Sequence, residues 1–139
     1  MFIDASAIVA ILNEEPGWQD LVRRIGDVSD QLYTSPLARY EASVSFARAR
    51  SGQHKKPSPE ILAECAEAVS NLLKEMSVRD IHISSSIGDA AIRAAADYGK
   101  SVGHPADLNF GDCFAYACAK AYRVGLIYKG DDFAKTDLA

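Results

Sequence analysis

The chain has 139 residues, 48% of them hydrophobic and 24% charged, with a net charge of −4 and a pI near 5.3. Such values suit one soluble globular domain with a real core, and they exclude a phosphate-coating mode of nucleic-acid binding, which needs a basic surface. Nucleic acid remains open as a substrate, because metal ions supply local positive charge.

No apolar run approaches the roughly 18–20 residues that span a bilayer, and no basic stretch precedes the first apolar segment, so neither a membrane span nor a signal peptide is expected. Cys65, Cys113 and Cys118 form no CxxC pair. They read as reduced core thiols of a cytoplasmic protein.

Residues 2–4 predict a short strand that feeds at once into an apolar helix, Ala5 to about Asn13, which Pro16 and Gly17 interrupt. Trp18, Leu21, Val22 and Ile25 recur at helical spacing and predict a second helix to about Gly26. "QLYTS" (31–35) resembles a short buried strand, after which Ser35 and Pro36 fit the cap and first turn of a helix over 36–51. Leu37, Tyr40, Val44 and Ala47 form its expected buried stripe, with Glu41 beside it. "SGQHKKPSP" (51–59) is a polar, basic loop, and Ser58 with Pro59 opens a long helix to about Met76. "VRDIHIS" (78–84) alternates like a half-covered strand. A helix from Ser84–Ser86 to Tyr98 follows, then a helix of small residues capped by Asn109, then a last strand "GLIY" (125–128) and the turn "KGDDF".

Strands alternating with helices predict an α/β fold with right-handed crossovers and a small, mainly parallel sheet of four or five strands. In such a sheet functional groups gather beyond the carboxyl ends of the strands. Asp4 closes the first strand, and Asp131 and Asp132 follow the last. Glu41 and Asp112 lie near the starts of helices that leave the same edge. Four acids therefore converge by topology. Like charges at close range repel, so the convergence points to a divalent cation; oxygen ligands suit Mg²⁺, with Mn²⁺ as a substitute, and phosphodiester hydrolysis is the natural chemistry.

Each acid also has a local reading. Asp4 could be the N-cap of the first helix, Asp112 the partner of Asn109 in a capping box, Glu41 an exposed helix residue, and Asp131–Asp132 a turn. Asp131, nearest the strand end, is favoured over Asp132 for the site. Ser6 is expected to support it by donating to a carboxylate or a metal-bound water. Arg48, Arg50, Lys55 and Lys56 could meet substrate phosphates, against the alternative of a solvated loop. Trp18 and Tyr40 could stack on bases but fit core spacing better.

"MFIDASAIVAIL", the glutamate of "LARYEASVSFARAR", "LNFGDCFAYACAK" and "LIYKGDDFAKTDL" together resemble the PIN-domain ribonucleases, specifically the VapC-type toxins of toxin–antitoxin pairs. The resemblance runs the length of the chain. It implies a three-layer α/β/α sandwich and an Mg²⁺-dependent endoribonuclease in which Asp4, Glu41 and Asp112 match the core acids and "GDDF" supplies the fourth. It further implies a VapB-like antitoxin partner and a homodimer.

Two other readings compete: a catalytically silent PIN-like binding module and a metal-dependent phosphatase. The phosphatase chemistry wants a second acid two residues after the first, where this chain has Ser6. No Gly-rich phosphate loop is present.

Overall fold

A computed structural model describes residues 1–139. The elements run β1 (Phe2–Ile3), α1 (Ala5–Leu12), α2 (Trp18–Gly26), β2 (Tyr33–Thr34), α3 (Pro36–Ser51), α4 (Pro59–Glu75), β3 (Arg79–Asp80), α5 (Ser85–Tyr98), α6 (Phe110–Tyr122) and β4 (Leu126–Ile127), with short 3₁₀ turns at Lys100–Val102 and Asp132–Lys135. The sheet order is β3-β2-β1-β4. Every pairing is parallel, with Phe2 opposite both Tyr33 and Leu126.

That order decides the layering. The chain steps from β1 to β2 to β3 in one direction, then returns across the sheet to place β4 on the far side of β1. Right-handed crossovers therefore put α1–α4 on one face and α5–α6 on the other. The result is the expected three-layer α/β fold. The reversal of direction between β1 and β4 makes a crevice at their carboxyl ends, where sheets of this type bind ligands.

Local chemistry explains the helix boundaries. Ser35 accepts from the Ala38 amide at 3.1 Å and Ser58 from Ile61 at 3.2 Å, each preceding a proline at the first helical position. Ser84 caps α5 in the same way through Ile87.

Two expectations are corrected here. The buried face of α3 is Ala38, Ala42, Ser43, Phe46 and Ala47 rather than a stripe through Tyr40, which is 70% exposed. Alanines let α3 lie close against α1, whose own buried face is Ala5, Ala7, Ile8, Ala10 and Ile11, so the large side chains are turned outward or to the margins. The strand expected over 78–84 shrinks to Arg79–Asp80, both exposed at the sheet edge. Ile81 is the buried residue there, and its amide bonds the Thr34 carbonyl at 2.7 Å.

The core is a continuous cluster in which Phe2, Ile3, Ile8, Ile81, Leu108, Ile127 and Phe133 are among the largest fully buried side chains. A smaller one, Phe46, Ala47 and Cys65, sits where α3 meets α4. All three cysteines are free and buried, and no helix is long and apolar enough to cross a membrane. Phe2 is wholly buried in the strand shared by two neighbours. Phe2→Ala should cost about 3–5 kcal/mol through lost burial and a residual cavity, read as a lower urea midpoint with the m value unchanged.

Candidate active site

Asp4 leaves β1 with its amide bonded to Ile127 O at 3.0 Å and caps α1 with its side chain. Its Oδ2 accepts from the Ser6 amide at 2.9 Å and from Ser6 Oγ at 2.6 Å. Ser6 Oγ in turn accepts from the Lys129 amide at 3.0 Å. The hydroxyl thus ties the chain leaving β1 to the chain leaving β4. Asp4 is both the cap that a local reading proposed and a buried carboxylate at the crevice.

Asp112 shows the same double use. At the third position of α6 its Oδ2 accepts from the Asn109 amide at 2.8 Å, while Asn109 Oδ1 accepts from the Asp112 amide at 3.1 Å, a complete capping box. Each cap occupies one named carboxylate oxygen and leaves the other for a further ligand. No buried side-chain polar atom lacks a partner, so oxygens not bonded within the protein remain in touch with solvent.

Glu41 reaches this group from α3. Its carboxylate lies against Gly111, where an added Cβ would come within 2.7 Å of the Glu41 carboxyl carbon. Gly111 is a site residue that sequence reasoning missed; the only available signal was a glycine at the second position of a helix, beside the candidate acid. Of the two aspartates after β4, Asp132 opens the 3₁₀ turn, and its charge bears on both Asp4 and Asp112. Asp131, favoured from the sequence for nearness to the strand end, precedes that turn and makes no side-chain cap.

The electrostatics follow from burial and like charge. Burial raises the pKa of Asp4, offset in part by the Ser6 bonds and reinforced by Asp132. Burial, then the charges of Asp4 and Asp112, lifts Glu41 to about 7. Burial lifts Asp112 to about 6 against the lowering Asn109 bond, with Asp4, Asp132 and Asp107 adding repulsion. No cation offsets this: the ion pairs of the protein are Arg23–Asp20, Arg39–Asp80, Arg50–Glu64 and Lys120–Asp137. The carboxylates stand near one another without closing into a ready ligand cage, for no three acidic, histidine or cysteine side chains already surround a common point.

The basic candidates lie apart from the acids. At about 1.5 Å per residue, Arg48 is roughly 10 Å and Arg50 roughly 14 Å along α3 from Glu41. Arg50 is engaged with Glu64 at 3.6 Å and lies over the Phe46 ring. Lys55 and Lys56 are exposed in the loop beyond. Asp137 pins the C-terminal turn to α6 through Tyr116 and Lys120.

The sequence matches the PIN domain over residues 1–138. The chain belongs to the PIN-domain family. This PIN domain is 46% identical over 139 residues to the VapC ribonuclease R02377 of Rhizobium meliloti, covering 99% of the chain and 98% of that protein. It is 33% identical over 138 residues to ribonuclease VapC42 of Mycobacterium tuberculosis, covering 99% and 96% respectively. With ribonuclease VapC of Mycolicibacterium smegmatis it shares 34% identity over 139 residues, covering 100% and 98%. It is a VapC-type member of the family.

The raised pKa values carry a stability consequence. The ordinary value is 4.5 for Glu41 and 3.8 for Asp112, against about 7 and about 6 in the folded chain. Between those limits the folded state holds protons that the unfolded state has released, so stability is greatest at low pH and falls as pH rises through the window. In chelator-containing buffer the melting temperature should fall between pH 5 and pH 7.5, and Glu41→Gln should flatten that slope. A Gln variant with the wild-type slope would remove Glu41 from the electrostatic group.

Proposed function

We propose that this chain is an Mg²⁺-dependent endoribonuclease toxin that hydrolyses RNA phosphodiester bonds at Asp4, Glu41, Asp112 and Asp132, acting in the cytoplasm as a homodimer and held silent by a VapB-like antitoxin. The carrying observation is that Asp4, Glu41 and Asp112, carboxylates from three separate elements, are raised in pKa by burial and by neighbouring negative charge, with no protein cation among them. The donor set fits a hard divalent ion: it is oxygen-only, anionic and reachable by solvent. When bound, magnesium, or manganese in its place, supplies charge neutralisation at the phosphate and an acidified water.

The protein's own residues set the geometry. Ser6 fixes the Asp4 carboxylate against the chain leaving β4. Asn109 holds one oxygen of Asp112 so that the carboxylate keeps one orientation. Gly111 leaves the room that Glu41 occupies. The relatives are named as ribonucleases, which supports RNA as the substrate. An acidic crevice also suits inhibition by an arginine from the antitoxin, whose planar fork pairs with carboxylates. Arg48, Lys55 and Lys56 remain the candidates for outer phosphate contacts.

Asp4→Asn and Asp112→Asn should each lower RNA cleavage about 100-fold or more, as removal of an electrostatic element aimed at a reacting phosphate does. Cleavage ends mapped in cellular RNA after expressing wild type and Asp112→Asn give the readout; equal cleavage by the Asn variants sinks this reading and favours a silent binding module. Gly111→Ala should cut activity by about tenfold or more while shifting the melting temperature little, since the group it displaces is the end of a flexible side chain.

A further inference from the structure

Asp112, Tyr116 and Lys120 follow one another along α6 at a spacing of four, which sets them in one row on a single face of the helix. At about 1.5 Å per residue, Tyr116 lies roughly 6 Å and Lys120 roughly 12 Å beyond Asp112. The segment after β4 runs beside that row in the same direction. Near its start, the charge of Asp132 bears on Asp112. At its end, Asp137 Oδ1 accepts from Tyr116 Oη at 2.6 Å and Oδ2 from Lys120 Nζ at 2.8 Å. Both oxygens are taken by donors one helical turn apart, so the carboxylate is fixed in place and in rotation. Lys120, then Tyr116, holds its pKa below the ordinary carboxylate value, which keeps it ionised.

Asp132 has no comparable support of its own. Asp4 and Asp112 are held by helix caps, and Glu41 is seated against Gly111. The Asp132 side chain is exposed, belongs to none of the ion pairs, and folds back over Gly130, where an added Cβ would lie 3.9 Å from its Oδ2. Its place is therefore set by the anchors of the chain on either side. Upstream, the Lys129 amide donates to Ser6 Oγ at 3.0 Å. Downstream, Phe133 is buried against Tyr128 with ring centroids 5.0 Å apart, and Lys135 Nζ donates to Pro105 O at 3.1 Å. Of the polar anchors, the pair of bonds at Asp137 is the one made to the helix that carries Asp112.

We propose that Asp137 is a positioning residue: through Tyr116 and Lys120 it locks the segment after β4 onto α6, and so sets the spacing of Asp132 from Asp112 for a divalent ion. The proposal rests on the reading above in which Asp132 serves the site. An exposed ion pair contributes little to stability, so removing this one should disturb the fold only slightly. Misplacing a ligand costs more, since losing an outer contact that orients a metal ligand changes affinity or activity by about 10–100-fold. The clamp thus predicts a large effect on the metal and a small one on the fold.

The test combines Mn²⁺ binding to the RNA-free protein, read from the EPR signal of free Mn²⁺, with cleavage of a fluorescent, unstructured RNA over a Mg²⁺ series. Asp137→Ala should weaken Mn²⁺ binding and lower kcat, each by about tenfold or more, with KM for RNA within about twofold of wild type. Its melting temperature in chelator should fall by only a few degrees. Lys120→Met should behave like Asp137→Ala, and Lys120→Arg should stay near wild type because the cation is kept. Tyr116→Phe loses one of the two bonds and should fall between. Asp20→Ala breaks an exposed pair on α2 and should change nothing. In an Asp132→Asn background Asp137→Ala should add no further loss, because both act through one carboxylate. Additive losses overturn the proposal, as does Mn²⁺ binding by Asp137→Ala and Lys120→Met within about twofold of wild type. A wild-type protein that binds Mn²⁺ but cuts no RNA overturns the ribonuclease reading and leaves the binding arm to decide this one; a wild-type protein that binds no Mn²⁺ overturns both.

Discussion

The structure depends on keeping several negative charges near one another with no positive charge to offset them. Burial and mutual repulsion both act against it, and the raised pKa values of Asp4, Glu41 and Asp112 express that cost directly. Two opposing effects hold the arrangement. Asp4 caps α1 and Asp112 closes the capping box of α6, so each sits where backbone amides and the positive end of a helix favour an anion. The second is rigid attachment: each acid leaves an element whose other side is buried in the core.

That packing explains the composition around the site. α1, α3 and α6 bury mainly alanine, glycine and cysteine, which lets three helices approach the sheet and each other closely enough for their N-terminal ends to meet. Gly111 is the extreme case, since even one methyl group would displace Glu41. Ser6 performs the equivalent service across the crevice, joining the exits of β1 and β4 through one hydroxyl. The functional edge is thus an outcome of small side chains and helix caps, with strands only two residues long providing the frame.

Much of the frame was legible. Proline, glycine and serine punctuation located the ends of α2, α3, α4 and α5, because caps and breakers act locally. Strand order was not legible residue by residue, but alternation of strands and helices was enough to place Asp4, Glu41 and Asp112 at one edge. The α3 stripe was misread because periodicity alone gives several faces similar hydrophobicity. The face chosen was the one with larger side chains, whereas close approach to α1 selected the alanines. Tyr40 was assigned to the core on that basis and lies in solvent.

The sequence by itself determined the helices, their caps and the presence of acids after strands and at helix starts, since each of these rests on contacts within a few residues. Only the tertiary structure decided that the charge of Asp132 bears on Asp4 and Asp112 and that Gly111 makes room for Glu41. Those are contacts between elements remote in the chain. Their outcome depends on how closely helices pack and how a turn is directed, and neither quantity is carried by any short stretch of residues.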